Sequence, residues 1–415
     1  MQSSFPELIK TFLKIGLLGF GGPYAHIAIL KDEIVKQRNW VSNQDFEEGL
    51  GLCEVLPGPA SSQLAIYLGM KIRGQVGGLI SGICFLIPGL LIVLLLSQLW
   101  RQGQSIDSFA DIVSITQVVV ASIIWAFAWR LLQKRSHLWQ ISMASFVLIG
   151  TLIDQFTSIH LPVIMLLLLA GLFNLFRYKS KNYFGLFIWP LGLDQIHFGS
   201  SVISPFNLLT ILVLGEEKED IFIIHLKLFL LFLKAGLFVF GGGLVIIPLL
   251  QNQIIEMGWL NIQGFLDGLA IGQLSPGPVV LTSAFVGYQA GWNEGGLLLA
   301  LSLAVTATFG IFLPSFIFVL IGTPFLEGLK RKVSVNIFLN GILSGLPGAI
   351  IGAAIPMTSI ALEVNSMIEL IPRLLLLMIT ILLIITNKVK PFQLIATTIG
   401  AVSYTHLTLP TILRV

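Results

Sequence analysis

Residues 52–63 read LCEVLPGPASSQ, and residues 271–282 read IGQLSPGPVVLT. Both put Pro-Gly-Pro inside a stretch that is otherwise apolar enough for a buried helix. Pro57 and Pro59 have no N–H to donate, so the carbonyls of Cys53 and Val55 lose their helical partners. Pro276 and Pro278 do the same to Gly272 and Leu274. The pattern predicts a helix break at each site. A new helix starts beyond each one, at Ala60-Ser61-Ser62-Gln63 and at Val279-Val280-Leu281-Thr282-Ser283.

Working outward, the 415 residues are 55% hydrophobic and only 11% charged, with a mean hydropathy of +0.91. A soluble domain carries about 25% charged residues, so this is the composition of an integral membrane protein. Apolar runs near 20 residues recur along the chain, long enough to cross a hydrocarbon core of about 30 Å and too continuous for barrel strands. The expected fold is all-α and polytopic. Spans are predicted near 8–30, 46–70, 76–99, 112–131, 138–158 and 160–176, and again near 222–250, 262–288, 294–323, 335–356 and 367–385. An apolar piece near 202–214 and a last partial span from about 391 complete the set. Orphaned backbone groups are costly in lipid, so a break persists only where protein or a hydrated cavity covers it.

The N-terminus lacks the short apolar core and small-residue cleavage site of a removable signal, which keeps the first hydrophobic segment in the protein. Cys53 and Cys84 both lie in apolar stretches and imply packing, not a disulfide framework. The net charge of +3 is spread over short loops, which removes nucleic acid as a partner. The six histidines show no pair at metal-ligand spacing, so no metal and no cofactor is expected.

The chain repeats itself. FLKIGLLGFGGPYAHIAIL at 12–30 lies over FLKAGLFVFGGGLVIIPLL at 232–250, and farther on, with the offset shorter by one residue, Trp40 falls opposite Trp259, Phe46 opposite Phe265, Gly49 opposite Gly268 and Pro57-Gly58-Pro59 opposite Pro276-Gly277-Pro278. This divides the protein into a first repeat over 1–180, a connector over 181–220 and a second repeat over 221–401. The segment AVSYTHLTLPTILRV from about 402 is out of character and reads as a non-native tail over 402–415. Lys31, Lys36, Arg38, Lys71 and Arg73 follow the first-half motifs, whereas the matching second-half loops hold no Lys or Arg. Basic loops face the cytoplasm, so the halves are expected to be inverted relative to one another, with six-helix-type halves containing broken helices.

Broken helices create binding chemistry. Free N–H groups and hydroxyls at a helix start, with Ser61 and Ser62 after the first break, suit an anion. A second break per repeat is expected at Gly21-Gly22, followed by Pro23 at a helix start, and at Gly241-Gly242-Gly243; close helix packing is the plain alternative for these glycines. Lys14 and Lys234 each lie two turns before the first glycine of the pair. They are read either as ligands of the anion or as interfacial residues whose ammonium reaches water. Acidic candidates for proton coupling are Glu48, Glu54 and Asp267, while Asp45 and Glu47 read as solvated. Among the histidines His26 alone is kept as a site candidate.

At FGGPYAHIAIL, LPGPASSQLAIYLG and their partners FGGGLVIIPLL and SPGPVVLTSAFVGYQAG, the sequence resembles the chromate ion transporter family in its long, two-domain form, from about residue 5 to about residue 400. The resemblance implies a bacterial inner-membrane exporter of chromate, driven by the membrane potential or the proton gradient. The family motif falls on Phe20 through Pro23, Pro57 through Pro59, Phe240 through Gly243 and Pro276 through Pro278. Sulfate, a similar tetrahedral oxyanion, would fit the same donors. No catalytic residue is assigned: an intramembrane enzyme would need a nucleophile with its base, and no His lies close in sequence to Ser61 or Ser62. The lipid bilayer is the surrounding partner, and association of copies into a homo-oligomer stays open.

Overall fold

The computed structural model describes residues 4–20, 23–53, 56–104, 107–157, 161–180, 221–239, 243–322, 333–364 and 367–412. Fourteen α-helices run through them, and no strand is found among the described residues. The first half holds α1 (Phe5–Leu18), α2 (Pro23–Leu30), α3 (Asn43–Cys53), α4 (Ala60–Gly103), α5 (Asp107–Gln133), α6 (Leu138–Phe156) and α7 (Val163–Ser180). The second holds α8 (Ile221–Phe238), α9 (Ile246–Glu256), α10 (Ile262–Leu274), α11 (Thr282–Leu320), α12 (Val333–Ala361), α13 (Met367–Ile385) and α14 (Pro391–Ile412). A π-helical stretch, Lys31–Gln37, extends α2, and 3-10 turns at Gly243–Val245 and Val279–Leu281 lead into α9 and α11. Six of these helices, α4, α5, α8, α11, α12 and α13, are long and apolar enough to cross a membrane. The expected connector 181–220, with its apolar piece, lies outside the described residues. Helix α14 continues through the segment from 402 as far as Ile412.

Local chemistry sets the helix ends. The Ser4 hydroxyl accepts from the Glu7 N–H at 3.4 Å to cap α1, and the Asn261 side chain accepts from the Gly264 N–H at 2.7 Å to cap α10. The first half then departs from the sequence reading in one respect. The segments near 8–30 and 46–70 do not run straight through as single spans; each turns back at its break. Gly19 faces His26, Lys14 faces Glu33 and Glu7 faces Arg38, which sets α2 and its extension beside α1. Gly49 lies against Tyr67, and Asp45 bonds Lys71 at 3.3 Å, which pairs α3 with the first limb of α4 around Gly58. In the second half Gly268 lies against Phe285 and Gly272 against Thr282, so the segment near 262–288 doubles back around Gly277. The segment near 222–250 is divided into α8 and α9, which pack on each other.

Reversal leaves both ends of each first-half hairpin at one rim. Arg38 bonds Glu7 at 2.8 Å, Lys31 bonds Glu47 at 2.6 Å, and the Arg73 guanidinium lies 5.0 Å from the Phe5 ring centroid. The Ser42 hydroxyl and the Lys71 ammonium hold the Asp45 carboxyl below the usual carboxylate range. This charged rim brings together charges that the sequence spreads from Glu7 to Arg73.

Helix α4 reverses again at Arg73-Gly74, where Gly74 has φ +66°, and its two limbs, 60–72 and 75–103, pack through Gly69, Gly77 and Gly82. Helix α11 does the same at Gly295-Gly296, with limbs 282–294 and 297–320. The long limbs of α4 and α11 run antiparallel: Gly78 meets Leu320, Gly82 meets Phe316, and near the far end Arg101 bonds Gln289 at 3.2 Å and Asn293 at 3.1 Å. The reversal at Gly296 therefore lies at the opposite end of α4's long limb from the reversal at Gly74. Around this pair α1 packs on α4 through Gly16 and the Phe85 backbone, and α8 packs on α11 through Gly236 and the Ile311 backbone. The outer helices interleave, since α5 packs against α12, α13 and α14 while α12 packs against α5, α6 and α7.

Candidate anion site where the helix breaks meet

Each Pro-Gly-Pro tip reaches into the other half. The Gly58 N–H donates to the Val239 carbonyl at 2.7 Å, and the Gly277 N–H donates to the Gly19 carbonyl at 2.9 Å. Gly19 and Val239 occupy equivalent places just before the two Phe-Gly-Gly motifs, so the two bonds are reciprocal. Gly243 also lies against Val279, at the start of the helix beyond the second Pro-Gly-Pro. Each Pro-Gly-Pro tip thus meets the stretch next to the other half's Phe-Gly-Gly motif.

The tips need glycine. Gly58 has φ +121° and Gly277 has φ +96°, torsions that a side chain strains, and a Cβ on Gly58 would strike Ser315 and Gln63. The flanking prolines Pro57, Pro59, Pro276 and Pro278 fix the torsions on either side. Backbone groups freed by the breaks are answered within the tips: Ser275 Oγ donates to the Gly272 carbonyl at 3.1 Å, and Gln63 Nε2 donates to the Pro57 carbonyl at 2.6 Å. His26, fully buried, donates through Nε2 to the Gly19 carbonyl at 2.7 Å and meets Phe85 edge-on, bracing the first break.

What remains unanswered is informative. Ser61 Oγ, Ser283 Oγ and the acceptor Gln63 Oε1 are buried and have no hydrogen-bond partner among the described residues. Ser62 Oγ is committed to the Pro59 carbonyl at 2.8 Å, which also accepts from the Ser62 and Gln63 amides. That leaves the first amides of α4, at Ala60 and Ser61, without an intrahelical acceptor. Hydroxyls and free amides at a helix start form a set of donors without a negative charge to receive them.

The charged candidates divide unequally between the halves. Lys14 is half-exposed and bonds the carboxylate of Glu33, which is buried and is also approached by Arg38 at 3.7 Å. Lys234 is half-buried and has no ion-pair partner among the described residues. The place of Glu33 is taken in the second half by Gln253, which cannot neutralise an ammonium. The acids show the reverse asymmetry. Glu48 is exposed and accepts from Gln44 at 3.0 Å, whereas its counterpart Asp267 is buried and held by two neutral donors, Gln117 Nε2 at 2.7 Å and Trp100 Nε1 at 3.0 Å. Glu54, Gly21, Gly22, Gly241 and Gly242 lie outside the described residues; Pro23 opens α2 as expected.

Glu33, Gln63, Trp100 and Gln117 were not singled out from the sequence. A Gln within the apolar run at 112–124 was the available signal for Gln117. Nothing local marked the others.

A family model described as "Chromate transporter" matches residues 6–175 and 226–404, once on each side of the connector. The chain belongs to the chromate transporter family. It is similar to the "Chromate transport protein" of Pseudomonas aeruginosa, 31% identical over 87% of this chain and 82% of that one. The "Chromate transport protein" of Cupriavidus metallidurans is 30% identical over 96% and 93%. The "Probable chromate transport protein" of Synechococcus elongatus is 30% identical over 85% and 84%. No solved structure matches. The chromate transporter match falls once in each half, and each half's Pro-Gly-Pro tip bonds the residue that precedes the other half's Phe-Gly-Gly motif.

Proposed function

We propose that this member of the chromate transporter family exports chromate across a bacterial inner membrane as a secondary active carrier built of two inverted repeats. The observation that supports the reading is the reciprocal pair of bonds from Gly58 to Val239 and from Gly277 to Gly19, which ties each Pro-Gly-Pro tip to the other half. A tetrahedral dianion there receives the unused donors, Ser61, Ser283 and the first helix amides, and the helix N-termini add favourable field. Lys234 supplies the unneutralised positive charge, while Lys14 serves chiefly to neutralise Glu33. Each tip makes one backbone hydrogen bond to the other half, and movement of the tips against those partners opens the site alternately to either side.

Asp267 is the coupling residue in this reading. A buried carboxylate facing only neutral donors is costly as an anion, and taking up a proton removes that cost. Proton occupancy there is coupled to the position of the α10 hairpin whose tip holds the anion.

The test is uptake of radiolabelled chromate and sulfate by inverted membrane vesicles bearing the protein, with and without imposed proton gradient and membrane potential. Saturable chromate uptake that excess sulfate inhibits only weakly, and that follows the proton gradient, supports the proposal. Uptake of sulfate alone moves the substrate to another oxyanion, and absence of both from well-assembled protein rejects the reading.

A further inference from the structure

One side chain at the first break is not accounted for by a bare anion. Gln63 is fully buried in the first turn of α4, and its Nε2 donates to the Pro57 carbonyl at 2.6 Å and to Ser315 Oγ at 3.5 Å. Turning the amide over would set its oxygen against the Pro57 carbonyl. Oε1 is therefore the atom left over, buried and without a hydrogen-bond partner among the described residues. Ser315 has the opposite need. It is fully buried on the long limb of α11, where its hydroxyl is what a Cβ on Gly58 would strike, and the proton of that hydroxyl is spent on no acceptor among the described residues. An unmet acceptor and an unmet donor thus stand side by side at the first Pro-Gly-Pro tip.

The second tip closes without such a pair. Thr282 stands in the place of Gln63 and gives its proton to the Val279 carbonyl at 2.8 Å. Gly89 stands in the place of Ser315: it follows Pro88 inside α4 as Ser315 follows Pro314 inside α11, and it lies against the Pro276 backbone as Ser315 lies against Gly58.

A buried acceptor left unmet costs free energy, and a ligand that brings a hydrogen-bond donor removes that cost. A bare tetrahedral dianion brings only lone pairs, which Oε1 repels. An oxyanion that carries one proton brings both parts, an oxygen to accept from Ser315 and a hydroxyl to donate to Gln63. Near neutral pH chromate is present partly as hydrogen chromate, whereas sulfate gives up its last proton except in strong acid. We propose that the form bound is the singly protonated oxyanion, hydrogen chromate, and that Gln63 is the residue that selects it over sulfate. The inference rests on the transport reading and refines the form of the anion. A site built to receive a hydroxyl rejects an analogue that lacks one more strongly than shape alone allows. The single negative charge that remains also matches the one ammonium, Lys234, assigned to the anion.

Inverted vesicles bearing the full chain are held near neutral pH under an imposed membrane potential, and the chromate KM and the sulfate inhibition constant are measured. In the unaltered protein the sulfate constant should exceed the chromate KM by about tenfold or more. Gln63→Met, which keeps the volume and removes the acceptor, should bring the two within about threefold of each other. Ser315→Ala removes a donor that either anion would use, so it should raise both and leave their ratio. A ratio unchanged in Gln63→Met overturns the inference and gives Gln63 Oε1 to a water. A second measurement needs no variant: hydrogen phosphate and fluorophosphate are close in shape and charge, and only the first carries a hydroxyl. Phosphate should inhibit chromate uptake at about tenfold lower concentration than fluorophosphate. Equal effects of the two overturn the inference while leaving chromate transport in place, whereas absence of chromate uptake rejects the transport reading and this inference with it.

Discussion

Single residues at the breaks separate backbone geometry from contact. Gly58 and Gly74 both have positive φ, yet a Cβ on Gly74 meets nothing within 4 Å whereas one on Gly58 meets Ser315 and Gln63. Gly74→Ala should therefore cost only the torsional term, about 1 kcal/mol, while Gly58→Ala adds steric displacement of a buried tip and should cost more than about 2 kcal/mol. Thermal denaturation of the two variants in the same detergent checks the order. The lysines part in a similar way. Lys14→Gln strips a buried glutamate of its nearest cation and should lower stability by about 1–3 kcal/mol. Lys234→Gln should leave stability unchanged or raised and should weaken anion uptake, seen as a higher KM in inverted vesicles. Equal losses of stability in both would refute the asymmetry. Asp267→Asn, close in shape to the acid it replaces, should assemble yet make chromate uptake independent of an imposed proton gradient; uptake still following that gradient would remove Asp267 from coupling.

At the scale of the helix, the sequence shows where the elements end better than where they go. Proline and glycine act locally, so the breaks at Pro57-Gly58-Pro59 and Pro276-Gly277-Pro278 could be read from residue chemistry alone, and the apolar runs marked α5, α6, α12 and α13 to within a few residues. Direction after a break is a tertiary property. Whether the chain passes on or turns back depends on contacts such as Gly49 with Tyr67, which no local pattern encodes. The same limit hid the site's chemistry. Glu33 neutralises Lys14 only because α2 returns alongside α1, and Asp267 is buried while Glu48 is exposed although both occupy the same register. That the hydroxyls of Ser61 and Ser283 go unanswered depends on how distant helices pack around them, which no local pattern encodes.

For the whole molecule, the antiparallel long limbs of α4 and α11 set the two reversals, Gly74 and Gly296, at opposite ends of one membrane-crossing helix. Gln75 and Glu294 are exposed beside them. In a background lacking Cys53 and Cys84, Gln75→Cys and Glu294→Cys should react with a membrane-impermeant maleimide from opposite sides, Gln75→Cys only in inverted vesicles. Labelling of both from one side would reject the inverted arrangement. The interleaving of α5 with α12, α13 and α14, and of α12 with α5, α6 and α7, bears on biosynthesis. A nascent chain that has inserted only its first half holds α5, α6 and α7 without their proper neighbours, and it must wait for α12 before that surface is closed. Neither half covers these packing surfaces by itself. Two separately expressed halves should be degraded alone and rescue each other when produced together, so that a single long polypeptide secures by covalent linkage the one-to-one supply of halves that assembly demands.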